Sequence, residues 1–177
     1  TAPPSRLFTE KRKVMGNSKS AIDVEAMKQQ IAIQEMMAKI DQQPKNVLFG
    51  MPSYTTVEQE AALLDMGISP QTADFNRIPK CGGYRITTET VANAKPCWSL
   101  AGLLRLIPQM LVGKDDDLVY DRRISRDGVE YFCVDYDLYM MSFDGGATLF
   151  VNAIACIKWL LMNGYIDKEG RAYATEY

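Results

Sequence analysis

The sequence predicts an α+β fold, in which a small antiparallel sheet (one strand plus a β-hairpin) packs against helices and follows a long N-terminal amphipathic helix. Three observations predict it. Several segments carry apolar residues at three- and four-residue steps between recognisable helix start and stop signals. An Asp127-Gly128 pair sits between two β-rich runs, a strong hairpin signal. The order of elements is helix, helix, strand, helix, hairpin, helix, with no alternation of strand and helix that would build a parallel sheet.

Taken in order, residues 1–19 are polar and basic, with Arg6, Lys11, Arg12, Lys13 and Lys19 against Glu10 and two prolines, and read as a flexible arm. Residues 20–43 read as a helix of about 22 residues and roughly 33 Å. Ser20 is its expected N-cap, with Asp23 and Glu25 near the positive end of the helix dipole. Val24, Met27 and Ile31, then Ile33, Met36, Met37 and Ile40, recur at helical steps until Pro44 ends the segment. The apolar stripe shifts between Ile31 and Ile33, so it is not a strict heptad seam. The chain thus divides into residues 1–44, arm plus helix, and residues 45–177, a compact α+β domain.

In the second part, Thr55-Thr56-Val57-Glu58 reads as a capping box, and the helix it opens is expected to end at Gly67. Ser69-Pro70 starts a short helical turn. Lys80-Cys81-Gly82-Gly83 reads as a turn, followed by an alternating strand from Tyr84. Ser99 caps a helix that Pro108 terminates. The hairpin joins strands from Leu118 and from Val129 to Tyr136. Asp144 is the expected cap of a last, strongly apolar helix over residues 147–163, stopped by Gly164.

Composition excludes several chemistries. The 177 residues include no His, which removes Ser-His-Asp and Cys-His catalysis and His-ligated zinc. Cys81, Cys97, Cys133 and Cys156 form no C-x-x-C pair, so buried free thiols are expected rather than a zinc or redox site. The glycine pairs Gly82-Gly83 and Gly145-Gly146 belong to no phosphate-binding loop. Ser99 lacks both the Gly-x-Ser-x-Gly context and a base. No catalytic residue, cofactor or metal ligand is assigned. The one acidic constellation, with Asp116, Asp117, Asp135 and Asp137 as its possible Mg²⁺ or Ca²⁺ ligands, reads more simply as a solvated hairpin face. No stretch suits a membrane span, and the N-terminus has no signal-peptide core, so a cytoplasmic protein is expected.

The runs Tyr54-Thr55-Thr56-Val57-Glu58-Gln59, Pro96-Cys97-Trp98-Ser99-Leu100 and Trp159-Leu160-Leu161-Met162-Asn163-Gly164-Tyr165-Ile166 together resemble a family of small uncharacterised proteins encoded by gut Bacteroidetes and their phages. The likeness covers residues 54–166, with Met162 where the family more usually has Glu. Residues 1–44 look like an addition to the usual short form. The resemblance implies no activity. It implies that the chain is encoded by a gut Bacteroidetes bacterium or by one of its phages and, if by a phage, that it has a virion-associated or host-interacting role.

Three functions are weighed. The first is a non-enzymatic interaction or assembly module, binding a protein partner or a second copy through the 20–43 helix, with Val24, Met27, Ile31, Met36 and Ile40 as contact residues. The second is a nucleic-acid-contacting protein using the arm. Residues 1–45 hold eight Lys and Arg against five Asp and Glu, net +3, within a chain of net charge −2. The third is a carboxylate-dependent metal enzyme.

Overall fold

The structure is a computed structural model that describes residues 19–41, 53–126, 128–146 and 148–173. The expected basic arm lies outside these residues, apart from Lys19. Among them are four helices: α1 Lys19–Asp41, α2 Val57–Asp65, α3 Leu100–Arg105 and α4 Leu149–Met162. The strands are β1 Phe75–Lys80, β2 Gly83–Thr87, β3 Lys95–Cys97, β4 Met110–Val112, β5 Val119–Ile124, β6 Val129–Cys133 and β7 Leu138–Phe143. The fold is α+β, as the sequence predicts, with two small antiparallel sheets where one was expected.

The strand after Gly83 does not join the hairpin. It pairs with β1, from Asn76↔Thr87 to Lys80↔Gly83, and β3 covers the other side of β1 from Phe75↔Cys97 to Arg77↔Lys95. Pro79 lies beyond the last β1 residue paired with β3, where the strand has a free side and a missing N–H is tolerated. The second sheet runs β4-β5-β6-β7. Its central pair is the expected hairpin, with Asp121↔Phe132 to Ile124↔Val129 in register and the Ser125 amide donating to the Gly128 carbonyl.

Local signals mostly set the helix ends. Gly67 (φ 87°) follows the C-cap Met66, and Gly164 (φ 62°) follows the C-cap Asn163; both take the left-handed conformation expected of them. Ser99 caps α3, its hydroxyl accepting from the Gly102 amide at 3.0 Å, and Asp74 accepts from the Ser99 amide and hydroxyl. At the other end, the Arg122 guanidinium donates to the Leu104 and Ile107 carbonyls, a cation at the negative end of the helix.

Four expectations are corrected. The capping box is Thr56 with Gln59, not Thr55 with Glu58, because the Thr55 hydroxyl is taken by the Trp98 amide at 3.0 Å. The cap of α4 is Thr148 rather than Asp144, and Ser20 lies inside α1. Strand β6 ends at Cys133, so Asp135 and Asp137 sit in the β6–β7 turn, where Asp137 has φ 54°. They are not two positions apart on one strand face, and the argument that their carboxylates align is lost.

The core forms around α4, whose residues from Phe150 to Ile157 are all buried. A helix apolar on every side has to be covered on every side. Here α1, α2 and α3 and the inner face of the second sheet cover it. Asn152, the polar break in that apolar run, is fully buried and accepts from the Gly146 amide at 2.8 Å, which pins the loop before the helix.

Candidate functional site

Helix α1 presents two apolar faces. Ile33 is buried in the core, and Met36 and Met37 pack half-buried against it. The helix is tied to α4 by the Lys158 ammonium donating to the Ala32 carbonyl at 3.1 Å and by the Asn163 amide donating to Gln29 Oε1 at 3.2 Å. Val24, Met27 and Ile31 are 52%, 67% and 47% exposed. With 3.6 residues per turn, or about 100° per residue, these three point nearly opposite to Ile33, Met36 and Met37. The shift of the stripe at Ile31–Ile33 is therefore a change of face.

Of the five contact residues read from the sequence, the structure brings Val24, Met27 and Ile31 together on the outer face and places Met36 on the inner one. The side chain of Ile40 lies outside the described residues. Met36 also floors an open groove of about 820 Å³ between α1, α2 and α4, lined by Ala62, Met66, Leu161 and Met162 and rimmed by Glu35, Lys39, Glu58 and Asp65.

The sequence reading did not single out a polar cluster buried beneath the first sheet. The Arg77 guanidinium donates from Nε to Glu60 Oε1 at 2.9 Å, forms an ion pair with the same oxygen through a terminal nitrogen at 2.8 Å, and donates from that nitrogen to the Thr55 carbonyl. The Thr55 hydroxyl and Arg77 both approach Cys97 Sγ, at 3.8 and 3.6 Å. Glu60 is 3% exposed, and its Oε2 has no hydrogen-bond partner. The signal was spacing: Glu60 lies three residues before the fully buried Leu63 and shares its face of α2. Burial, with the Glu60 charge beside it, pushes the Cys97 thiol up to about 11. A thiol so raised, with no exposed surface, is not a nucleophile at neutral pH.

Cys97, Cys133 and Cys156 are buried free thiols, whereas Cys81 is exposed in the β1–β2 turn, contrary to the uniform burial expected. Native protein at pH 8 should accordingly react with one equivalent of a thiol reagent such as dithionitrobenzoate, and Cys81→Ser should abolish that fast phase. In denaturant all four cysteines should react. Rapid labelling of two or more thiols in the native state would contradict the burial.

Among the described residues, no group of three or more His, Cys, Asp or Glu could hold an ion. Asp116 accepts instead from the Tyr120 hydroxyl and the Leu118 amide, and the first of these bonds pushes the Tyr120 phenol up to about 12. Among the aromatic side chains, Tyr84, Tyr136 and Tyr139 are exposed, while Trp98 and Tyr131 are fully buried. No helix among the described residues is long and apolar enough to cross a membrane. Comparison of the chain with family models, curated proteins and solved structures gives no match.

Proposed function

We propose that this protein is a non-enzymatic interaction module, in which a long amphipathic α1 is held to the body by one face and docks another protein with the other. The observation that carries this reading is the exposed row Val24, Met27 and Ile31, on a helix already anchored through Ile33, Met36 and Met37. Steps of three and four residues make this row a short helix-docking seam, the form in which an amphipathic helix meets a second helix or a groove. The absence of His and the burial of Cys97 support the non-enzymatic part. A second copy of the chain is the first partner to test. The resemblance noted above would place the resulting assembly in a phage particle or at a host contact.

Light scattering after size exclusion at about 100 μM provides the test. The full chain should have the mass of an oligomer, and the double variant Val24→Asp, Ile31→Asp the mass of a monomer. Both side chains are exposed, so the double variant should lose no more than about 1 kcal/mol of stability. A full chain that is already monomeric, or a double variant of unchanged mass, rejects self-association through this face.

A further inference from the structure

We infer that the free edge of β7 is a second binding surface, independent of the α1 face, and that it takes an extended peptide with an uncharged core and basic residues at both ends. Strand β7 is an edge of its sheet, paired to β6 on one side and to no strand on the other among the described residues. Its six residues, Leu138–Phe143, contain no charge, proline or glycine, and none of their backbone groups bonds outside the β6 ladder among the described residues. The other edge, β4, is only three residues long. A long, uncharged, unpaired edge is a template for another strand.

A cavity of about 530 Å³ lies along this edge. It touches the five consecutive residues from Tyr139 to Phe143. A bulge at Met140 interrupts the alternation of β7, but beyond it the exposed Ser142 and the buried Phe143 point to opposite faces, so a cavity that meets both follows the edge rather than one face. Its far wall is α1, through Gln30, Gln34 and Met37. The volume falls in the range of pockets that bind ligands. A strand added there would gain main-chain hydrogen bonds from β7 and bury alternate side chains against α1 and the core, the arrangement of β-augmentation.

Charge selects the occupant. Asp135 and Asp137 precede β7, Asp144 follows it, and Asp115 and Asp116 line the cavity. Lys114 is the one cation among the lining residues, and its ammonium already donates to the Asn163 carbonyl. A second copy is disfavoured: antiparallel β7–β7 pairing that matches Leu138 with Phe143 sets Asp137 against Asp144 at both ends. Like charges directly opposed destabilise a strand pair. A partner strand with Lys or Arg at its ends meets carboxylates instead.

The probe is a capped synthetic peptide, Lys-Lys-Thr-Val-Thr-Val-Thr-Val-Lys-Lys, titrated into the isotope-labelled full chain and followed by amide chemical shifts and hydrogen exchange. Shifts and new exchange protection should cluster on Leu138–Phe143 and on Gln30 and Gln34. The same peptide with Glu ends should bind at least about tenfold more weakly, and the double variant Asp137→Asn, Asp144→Asn, which removes both charges and keeps at position 137 a residue that tolerates the left-handed backbone, should lose about tenfold in affinity for the basic peptide. Three outcomes would overturn the inference: no shift on β7 at millimolar peptide, equal binding of the two peptides, or outward β7 amides already protected in the free protein. The last would mean that a segment of the chain itself, or a second copy, fills the edge.

Discussion

Replacing Arg77 by Met should destabilise the fold by about 3 kcal/mol, far more than its place on a small sheet suggests. Among the described residues the guanidinium is the one cation paired with Glu60, whose carboxylate is 3% exposed and beside the Cys97 sulfur. Removing one member of a buried pair leaves the other charge in a poorly solvated site, and it also orphans the Thr55 carbonyl that Arg77 holds. The Arg77 side chain is itself 13% exposed, which argues for the lower end of the usual 3–5 kcal/mol range. For a chain of this length, about 3 kcal/mol corresponds to a fall in Tm of roughly 6–12 °C. The informative companion is the double variant Glu60→Leu, Arg77→Met. With both charges gone, no uncompensated ion remains, so urea denaturation should show the double variant to be more stable than Arg77→Met alone. If Arg77→Met costs under 1 kcal/mol, or if the two losses simply add, the pair is not the unit described here.

The same cluster shows why part of this structure was legible in the sequence and part was not. Helix ends are local, and the backbone turns at Gly67 and Gly164 and the Ser99 cap could be read from adjacent residues. The adjacent pair Thr55-Thr56 could not. Either hydroxyl can cap α2, and the choice is made 43 positions away, where the Trp98 amide claims Thr55. Sheet pairing fails for a similar reason. Strand β1 contains Pro79, and its partners β2 and β3 are fixed by non-local register rather than by any turn beside it. Strand β7, with Met140 and Met141 at its centre, shows no polar alternation to announce it, although that uniformity is what makes its edge adhesive.

The α1 surface lies between these cases. The break in periodicity at Ile31–Ile33 is visible in the sequence, but its meaning requires α4. Only when Ile33, Met36 and Met37 are seen against the core does the other set, Val24, Met27 and Ile31, become the face left over. Grouping Met36 with Val24 follows from treating the helix as having one stripe. Sequence spacing alone gives angles between side chains, and packing decides which angle faces inward.

Trp98→Ala should be the most damaging single truncation, at about 3–5 kcal/mol. Trp98 is fully buried and sits where three segments meet. Its amide donates to the Thr55 hydroxyl and its carbonyl accepts from the Thr55 amide at 2.8 Å, joining the entry to α2 to the start of α3. Its indole N–H donates to the Thr72 hydroxyl at 3.0 Å, and that hydroxyl in turn donates to the Ser69 carbonyl at 2.8 Å. Alanine would keep the backbone bonds but leave a cavity in the close-packed core that Trp98 shares with Leu63, Ile68 and Leu103. Two smaller changes separate volume from polarity. Thr72→Val keeps the packing and leaves the buried indole N–H without its acceptor, which should cost about 1–2 kcal/mol. Trp98→Phe removes the donor together with part of the ring, and in its presence Thr72→Val should cost less than it does alone, because the bond it would break is already gone. Urea denaturation of the four proteins, including the Trp98→Phe, Thr72→Val double variant, measures this directly. A Trp98→Ala loss below about 1.5 kcal/mol would mean that the site collapses around the missing ring, and that Trp98 is not the joint between these segments.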